Sequence, residues 1–371
     1  MAGSTISGKV TTTVTLGSAS YPGPLTITSA GDVAASGPSA IGIDAPAGSG
    51  IVINDGTVTG GAASGDGGVG VDLATGAALT NQGTITGGAG SPGIPGPGGT
   101  VPGPAGAGVL IDGGTLTNSG AIAGGYAFGG SNPEGSGAVL LAGTLSNTGT
   151  IAGGSSPLEP VTGGSFGSRY GDGVYLAAAA TLLNTNGTIA GGDNPVGGGS
   201  GIFLAAGGTL AITGVVIGGG GAKKGGSGVW LADGGSLGNT GTVIGGSGVS
   251  GVGVYLLTGG TLTNAGTIIG GRGVTSIYNS GVAPGGSGVV LAAGGILINA
   301  AFISGGSAAG AGAGAMGGDG VDLVQGGTLT NNTDATITGG AGGYDGGDGI
   351  YGGGTGASLV GGTRGWLDEF R

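Results

Sequence analysis

Apolar residues alternate with small or polar ones in runs of three or four, and the alternation restarts after a pair of glycines. In Thr115-Leu116-Thr117 and Thr261-Leu262-Thr263 a leucine stands between two threonines. In the stretches that read Gly-Thr-Ile-x, the isoleucine place is held by Ile85, Ile122, Ile151, Ile189, Ile268, Ile303 and Ile337. A period of two puts these apolar side chains on one face of a strand and the threonines on the other. The segments are too short, and too often interrupted by glycine, to fold alone.

They are copies of one phrase, Thr-Leu-x-Asn-x-Gly-Thr-Ile-x-Gly-Gly. It is clearest at Thr115–Gly125, Thr144–Gly154, Thr181–Gly192 (one residue longer) and Thr261–Gly271, with looser copies starting at Ile51, Ala78, Thr209, Ser236, Ile296 and Thr328. A second phrase, Gly-Val-x-Leu, precedes most copies, as at Gly70–Leu73, Gly173–Leu176, Gly253–Leu256 and Gly320–Leu323. The Asn place in the ten copies reads Asn54, Asn81, Asn118, Asn147, Asn184, Ile212, Asn239, Asn264, Asn299 and Asn331, spaced 25 to 37 residues apart. Each unit therefore offers three short strands, and stacking equivalent strands buries Leu, Ile and Val as ladders. This predicts an all-β chain: a single parallel, right-handed β-helix or β-solenoid of about ten coils. At a rung spacing of about 4.8 Å its length is on the order of 50 Å. Residues 1–40 read as irregular entry coils, 41–351 as the solenoid, and 352–371 as a tail. Length varies between Gly-Gly and the next Gly-Val-x-Leu, which places Gly/Pro-rich inserts such as 89–106, 155–171 and 272–286 along one edge. Glycine is expected at corners that need positive φ, and the nine asparagines are expected to stack as a structural hydrogen-bonded ladder.

Composition fits this architecture. There are 108 glycines among 371 residues, yet only 7% of residues are charged, so the chain is poor in the charge that marks disorder. With no His and no Cys, a Ser-His-Asp triad, a Cys-His pair, a His or Cys zinc site and disulfides are all excluded. No catalytic residue and no cofactor is expected. A net charge of −11 argues against nucleic acid and anionic membrane as partners. The first residues, Met1-Ala2-Gly3-Ser4-Thr5, lack a basic flank and an apolar run, so a secretory signal is not expected there. The longest apolar stretch, 174–183, is about half of a membrane span, so this chain is not expected to insert.

The longer phrase resembles the repeats in passenger regions of bacterial autotransporters, and is similar to those of filamentous-haemagglutinin-like exoproteins. The resemblance covers roughly residues 40–350. It implies a right-handed β-helix, a cell-surface or extracellular location, and adhesion. The chain departs from the autotransporter pattern in lacking a C-terminal membrane barrel. The expected function is thus a non-enzymatic extracellular scaffold, an adhesin-like passenger or a matrix or surface fibre subunit. The alternative is a β-helix protein that binds or cleaves polysaccharide. Expected partners are the chain itself (head to tail or laterally), a host or matrix surface, and glycans.

Three groups of residues stand out from the repeat. The x residue of Gly-Val-x-Leu, or its equivalent, is Tyr175, Phe203, Trp230 and Tyr255 in four successive coils. This outward aromatic row would contact a partner or a glycan. Asp319, Asp322, Asp345 and Asp348 cluster late in the chain and form a calcium candidate, although the calcium-binding nonapeptide repeat is absent. Asp319 and Asp348 share one place in the repeat, which Ser holds in other coils, so each is expected to cap its own turn. Asp319 with Asp322 would also suit paired-carboxylate hydrolysis, whereas Asp72 and Asp233 look isolated. Finally, Trp366, Leu367 and Phe370 lie in the tail, which either caps the last coil or docks on a second copy.

Overall fold

The computed structural model describes residues 3–62, 65–91, 103–127, 135–155, 171–275, 282–310, 315–343 and 345–352, and the backbone of 357–361. Most of the inserts at 92–102, 156–170 and 276–281, and the tail residues Trp366, Leu367 and Phe370, lie outside the described residues. Among the described residues there is no helix. Strands of two to ten residues pair in parallel with their counterparts in the neighbouring coil, as expected for a parallel β-solenoid. The chain divides into two compact units, residues 1–183 and 184–371.

In the first unit, Lys9–Val10, Asp32–Ala34, Thr57–Thr59, Thr84–Thr86, Ala121–Ala123 and Thr150–Ala152 form one stack. The pairing is in register, so Ile85 lies on Ile122 and Ile122 on Ile151. A second stack places Leu79, Leu116 and Leu145 in one column. Residues 1–40 are more regular than the sequence suggests: Ser4–Ile6 pairs with Leu25–Ile27, and Lys9–Val10 with Asp32 and Val33. Leu25 and Val33 enter the same buried columns through Val52 and Val58, while Ile6 and Ile27 lie in line with Asn54, so buried apolar residues extend the stacking this far.

The second unit repeats the arrangement. Leu237, Leu262, Leu297 and Leu329 form one buried column, and Val243, Ile268, Ile303 and Ile337 another. Each such side chain contributes about 1.5–3 kcal/mol on full burial. The columns give that burial to strands that have no core of their own.

The asparagines form the polar counterpart of these columns. Asn54 Nδ2 donates to Asn81 Oδ1 (2.7 Å), Asn81 to Asn118 (2.7 Å) and Asn118 to Asn147 (2.8 Å). In the second unit Asn239, Asn264, Asn299 and Asn331 continue the pattern at 2.8 Å. The second amide proton goes to a backbone carbonyl, for example Asn118 Nδ2 to Gly120 O (3.3 Å). The oxygen also accepts from the backbone two residues on, as when Gly266 N donates to Asn264 Oδ1 (3.2 Å). Asn54, Asn81, Asn118, Asn147, Asn184, Asn264 and Asn299 are completely buried, a burial that unpaired amides would make costly. Where Ile212 replaces Asn, Asn184 Nδ2 bonds to the Gly187 and Val215 carbonyls.

Two roles of glycine stand out, and the sequence foresees only one. Positive φ occurs at the corner between the first two strands of a coil, as at Gly234 (65°) and Gly235 (93°). The Gly-Gly pairs that close each phrase are not left-handed; they are needed for close approach. There the chain runs out and back, and the two arms bond alternately. Gly199 N–H donates to Gly192 O (2.9 Å), Gly219 to Gly199 (2.7 Å), Gly226 to Gly219 (2.8 Å) and Gly246 to Gly226 (2.7 Å). A Cβ on Gly219 would run into the Gly192 carbonyl oxygen.

Two outcomes follow from these contacts. Asn118→Ala removes the Asn81 amide's side-chain acceptor and a donor to the Asn147 oxygen and leaves a gap in the buried ladder, so it should cost about 2–4 kcal/mol, read as a lower urea midpoint. Gly219→Ala should destabilise by about 3 kcal/mol through overpacking. Gly207→Ala, where a Cβ meets nothing within 4 Å, should leave the midpoint nearly unchanged in the same titration.

Candidate functional site

The first strand of most coils buries two alternate residues and turns the residue between them outward, as in Val229-Trp230-Leu231, whereas in Val289-Val290-Leu291 the middle residue is buried as well. In-register pairing converts that place into a column. In the second unit it reads Phe203, Trp230, Tyr255, Val290, Asp322 and Tyr351, each paired with the next. In the first unit it reads Asp44, Asp72, Leu110, Val139 and Tyr175. Three of the four expected aromatics therefore stand on consecutive rungs, and Tyr175 holds the same place beside Val139.

The Phe203 and Trp230 ring centroids are 5.8 Å apart at 37°, and those of Trp230 and Tyr255 are 4.8 Å apart at 46°. Such offset, tilted contacts are favourable between aromatic rings, by about 0.5–1.5 kcal/mol beyond burial. The three rings are only partly covered. Trp230 Nε1 is itself buried and has no hydrogen-bond partner. What the indole shows to solvent is therefore carbon. The exposed Lys224 places its Nζ 5.3 Å from the centroid of the same ring, within cation–π range. Sequence reasoning missed Lys224, because it belongs to a glycine arm and reaches the row only through the fold. It also missed that Val290, Asp322 and Tyr351 belong to this column, although the same place in Gly-Val-Val-Leu, Gly-Val-Asp-Leu and Gly-Ile-Tyr would have revealed it.

The late aspartates behave differently from their expected roles. Asp319 Oδ1 accepts the backbone N–H of Asp348 at 2.9 Å, so it ties one coil to the next and does not cap its own turn. Burial raises the Asp319 carboxyl, partly offset by that N–H, and the Asp348 charge adds to the rise. Asp322 has a buried Oδ1 with no partner. Burial, with the Asp319 charge second, pushes it up to about 6. Asp345 forms an isolated parallel backbone bridge with Met316. Among the described residues, no three acidic side chains are grouped closely enough to hold a metal ion. Asp72 is not isolated: it pairs with Asp44 across adjacent rungs, and its carboxyl is raised by burial, then by Asp44 and Asp112. Like charges side by side on a sheet face are destabilising, and raised protonation relieves them. Asp233 accepts a hydrogen bond from Thr258 Oγ1 at 3.2 Å.

No protein-family description, curated protein or solved structure matches the chain.

Asp322 gives this face a pH dependence. Its folded value, about 6, lies above the ordinary 3.8, so the folded state holds the extra proton between those values. The stability it lends is complete below about pH 4 and is lost as the pH rises through about 6. Asp322→Asn should therefore melt higher than the parent at about pH 7.5 and close to it at about pH 4, in matched thermal scans.

Proposed function

We propose that this chain is a non-enzymatic extracellular β-solenoid scaffold, an adhesin-like passenger or a subunit of a surface or matrix fibre. On this reading the stacked coils hold a recognition row in fixed register. The observation that carries it is the contact of Phe203, Trp230 and Tyr255 on consecutive rungs of an outward strand face. Aromatic rings on a rigid frame lose little side-chain entropy on binding and dominate contact energies. The resemblance of the repeat to autotransporter passengers and filamentous-haemagglutinin-like exoproteins supports the same reading and the extracellular location. Self-association belongs to it as well, since parallel strands in register are extended by any strand of the same register.

A second reading, a β-helix that cleaves polysaccharide, draws support from Asp322. A carboxyl held near 6 beside a second carboxyl is the pattern of a general acid.

The two readings separate experimentally. Retention of the purified chain on cell-surface or matrix preparations should fall about tenfold or more in Trp230→Ala and in Tyr255→Ala, with the circular-dichroism spectrum unchanged. Release of reducing ends from a polysaccharide panel, abolished by Asp322→Asn, would refute the scaffold reading.

A further inference from the structure

Asn186 stands outside the order of the other asparagines. The phrase elsewhere reads Asn-x-Gly, as in Asn118-Ser119-Gly120 and Asn264-Ala265-Gly266. The copy at Thr181–Gly192 has one residue more and reads Asn184-Thr185-Asn186-Gly187. Asn184 keeps the ladder place, and the extra residue creates the single Asn-Gly pair of the chain. We propose that this pair is a site of spontaneous covalent modification, where the Asn186 side-chain amide closes on the Gly187 nitrogen and reopens as isoaspartate or aspartate.

The step balances with water as the only co-reactant. The Gly187 backbone nitrogen gives up its proton and bonds to Asn186 Cγ, which closes a succinimide ring. The Cγ–Nδ2 bond breaks, and the amide nitrogen leaves as ammonia with that proton. Water then adds to one of the two ring carbonyls and a ring C–N bond opens. Opening at the main-chain carbonyl leaves an isoaspartyl link, with the chain running through the former side chain. Opening at the side-chain carbonyl leaves aspartate. Either product carries one new negative charge.

Three observations single out Asn186. The residue after it is glycine, so no Cβ crowds the attacking nitrogen. Its side chain is exposed on the corner before Thr188–Ala190, at a φ of 57°, where water reaches the ring and ammonia escapes. Lastly, the ladder asparagines are protected at both reacting atoms. Asn118 is completely buried, its Nδ2 bonds to Asn147 Oδ1 and Gly120 O, and its Oδ1 accepts from Asn81. The nitrogen that would attack it, that of Ser119, donates to Asn81 O at 2.8 Å. Ala265 and Ala300, which follow Asn264 and Asn299, donate in the same way to the preceding coil.

The modification has a structural consequence. Gly187 O accepts from Val215 N (2.9 Å) and from Asn184 Nδ2 (3.0 Å), which turns there because Ile212 interrupts the ladder. An isoaspartyl link adds one carbon to the main chain directly before Gly187. It therefore shifts that carbonyl away from both donors and loosens the coil.

The full chain is held folded at neutral and at mildly alkaline pH, beside a sample in concentrated urea. Peptide mapping by mass spectrometry follows each asparagine over weeks, with isoaspartate told from aspartate by fragmentation. In the folded chain Asn186 should convert, faster at the higher pH and to both products, while Asn118 and Asn264 stay intact. A more acidic species should grow on ion exchange. Asn186→Gly, which accepts the same φ, should abolish that species, and Gly187→Ala should slow conversion about tenfold. If Gly187→Ala misfolds, the comparison of Asn186 with Asn118 within one folded chain carries the test. Asn186 left intact in the folded chain overturns the proposal, whether or not the urea sample converts. So does a ladder asparagine that converts as fast, or aspartate formed without isoaspartate. The isoaspartyl fraction should unfold at lower urea than the fresh chain, and an unchanged midpoint overturns the loosening.

Discussion

Rung-to-rung hydrogen bonding, which holds equivalent residues of successive coils in register, is the constraint on which everything else depends. Strands of three or four residues have almost no stability of their own. Once each lies on its counterpart, a leucine meets a leucine and an asparagine meets an asparagine. The apolar columns then supply burial, and the Asn ladder satisfies the amides that the corners would otherwise bury unpaired. A slip of one residue would reverse every side chain, so burial and polar pairing enforce the same register.

Glycine is the cost of that arrangement and also its enabling condition. Where the chain runs out and back at the end of each phrase, the two arms are bonded alternately through backbone groups alone. A side chain there has no space, because a carbonyl oxygen of the neighbouring arm occupies it. A composition that in most chains signals disorder is here the requirement for close packing of backbone on backbone.

The same register turns a one-residue choice into a surface. Outward residues of the first strand are repeated along the stack, so aromatics concentrate into a row and carboxylates into neighbours. The row gains from its contacts. The carboxylates lose, which is why Asp72 and Asp322 are both raised by burial and by a second acid nearby. Within each unit the character of the column follows what each coil contributes, and in the second unit Lys224 reaches it from a glycine arm.

Periodicity alone determined the strand character, the inward Leu and Ile, the repeat and the parallel stacking, because a period-two pattern recurring at near-constant spacing has few other ways to bury its apolar face. It also singled out the aromatics and the asparagines, which occupy fixed places in the phrase. Other features were decided only in three dimensions. Asp319 bonds across to Asp348, Asp72 lies against Asp44, and Lys224 reaches Trp230. Each of these pairs residues from different coils, or from an arm and a strand, whose separation along the chain varies with insert length. Positive φ fell at the first corner, while the Gly-Gly pairs answered to close approach, a distinction that depends on where neighbouring backbone lies. Local pattern sets which face a side chain takes; only the stacked backbone sets which side chain, from which coil, stands next to it.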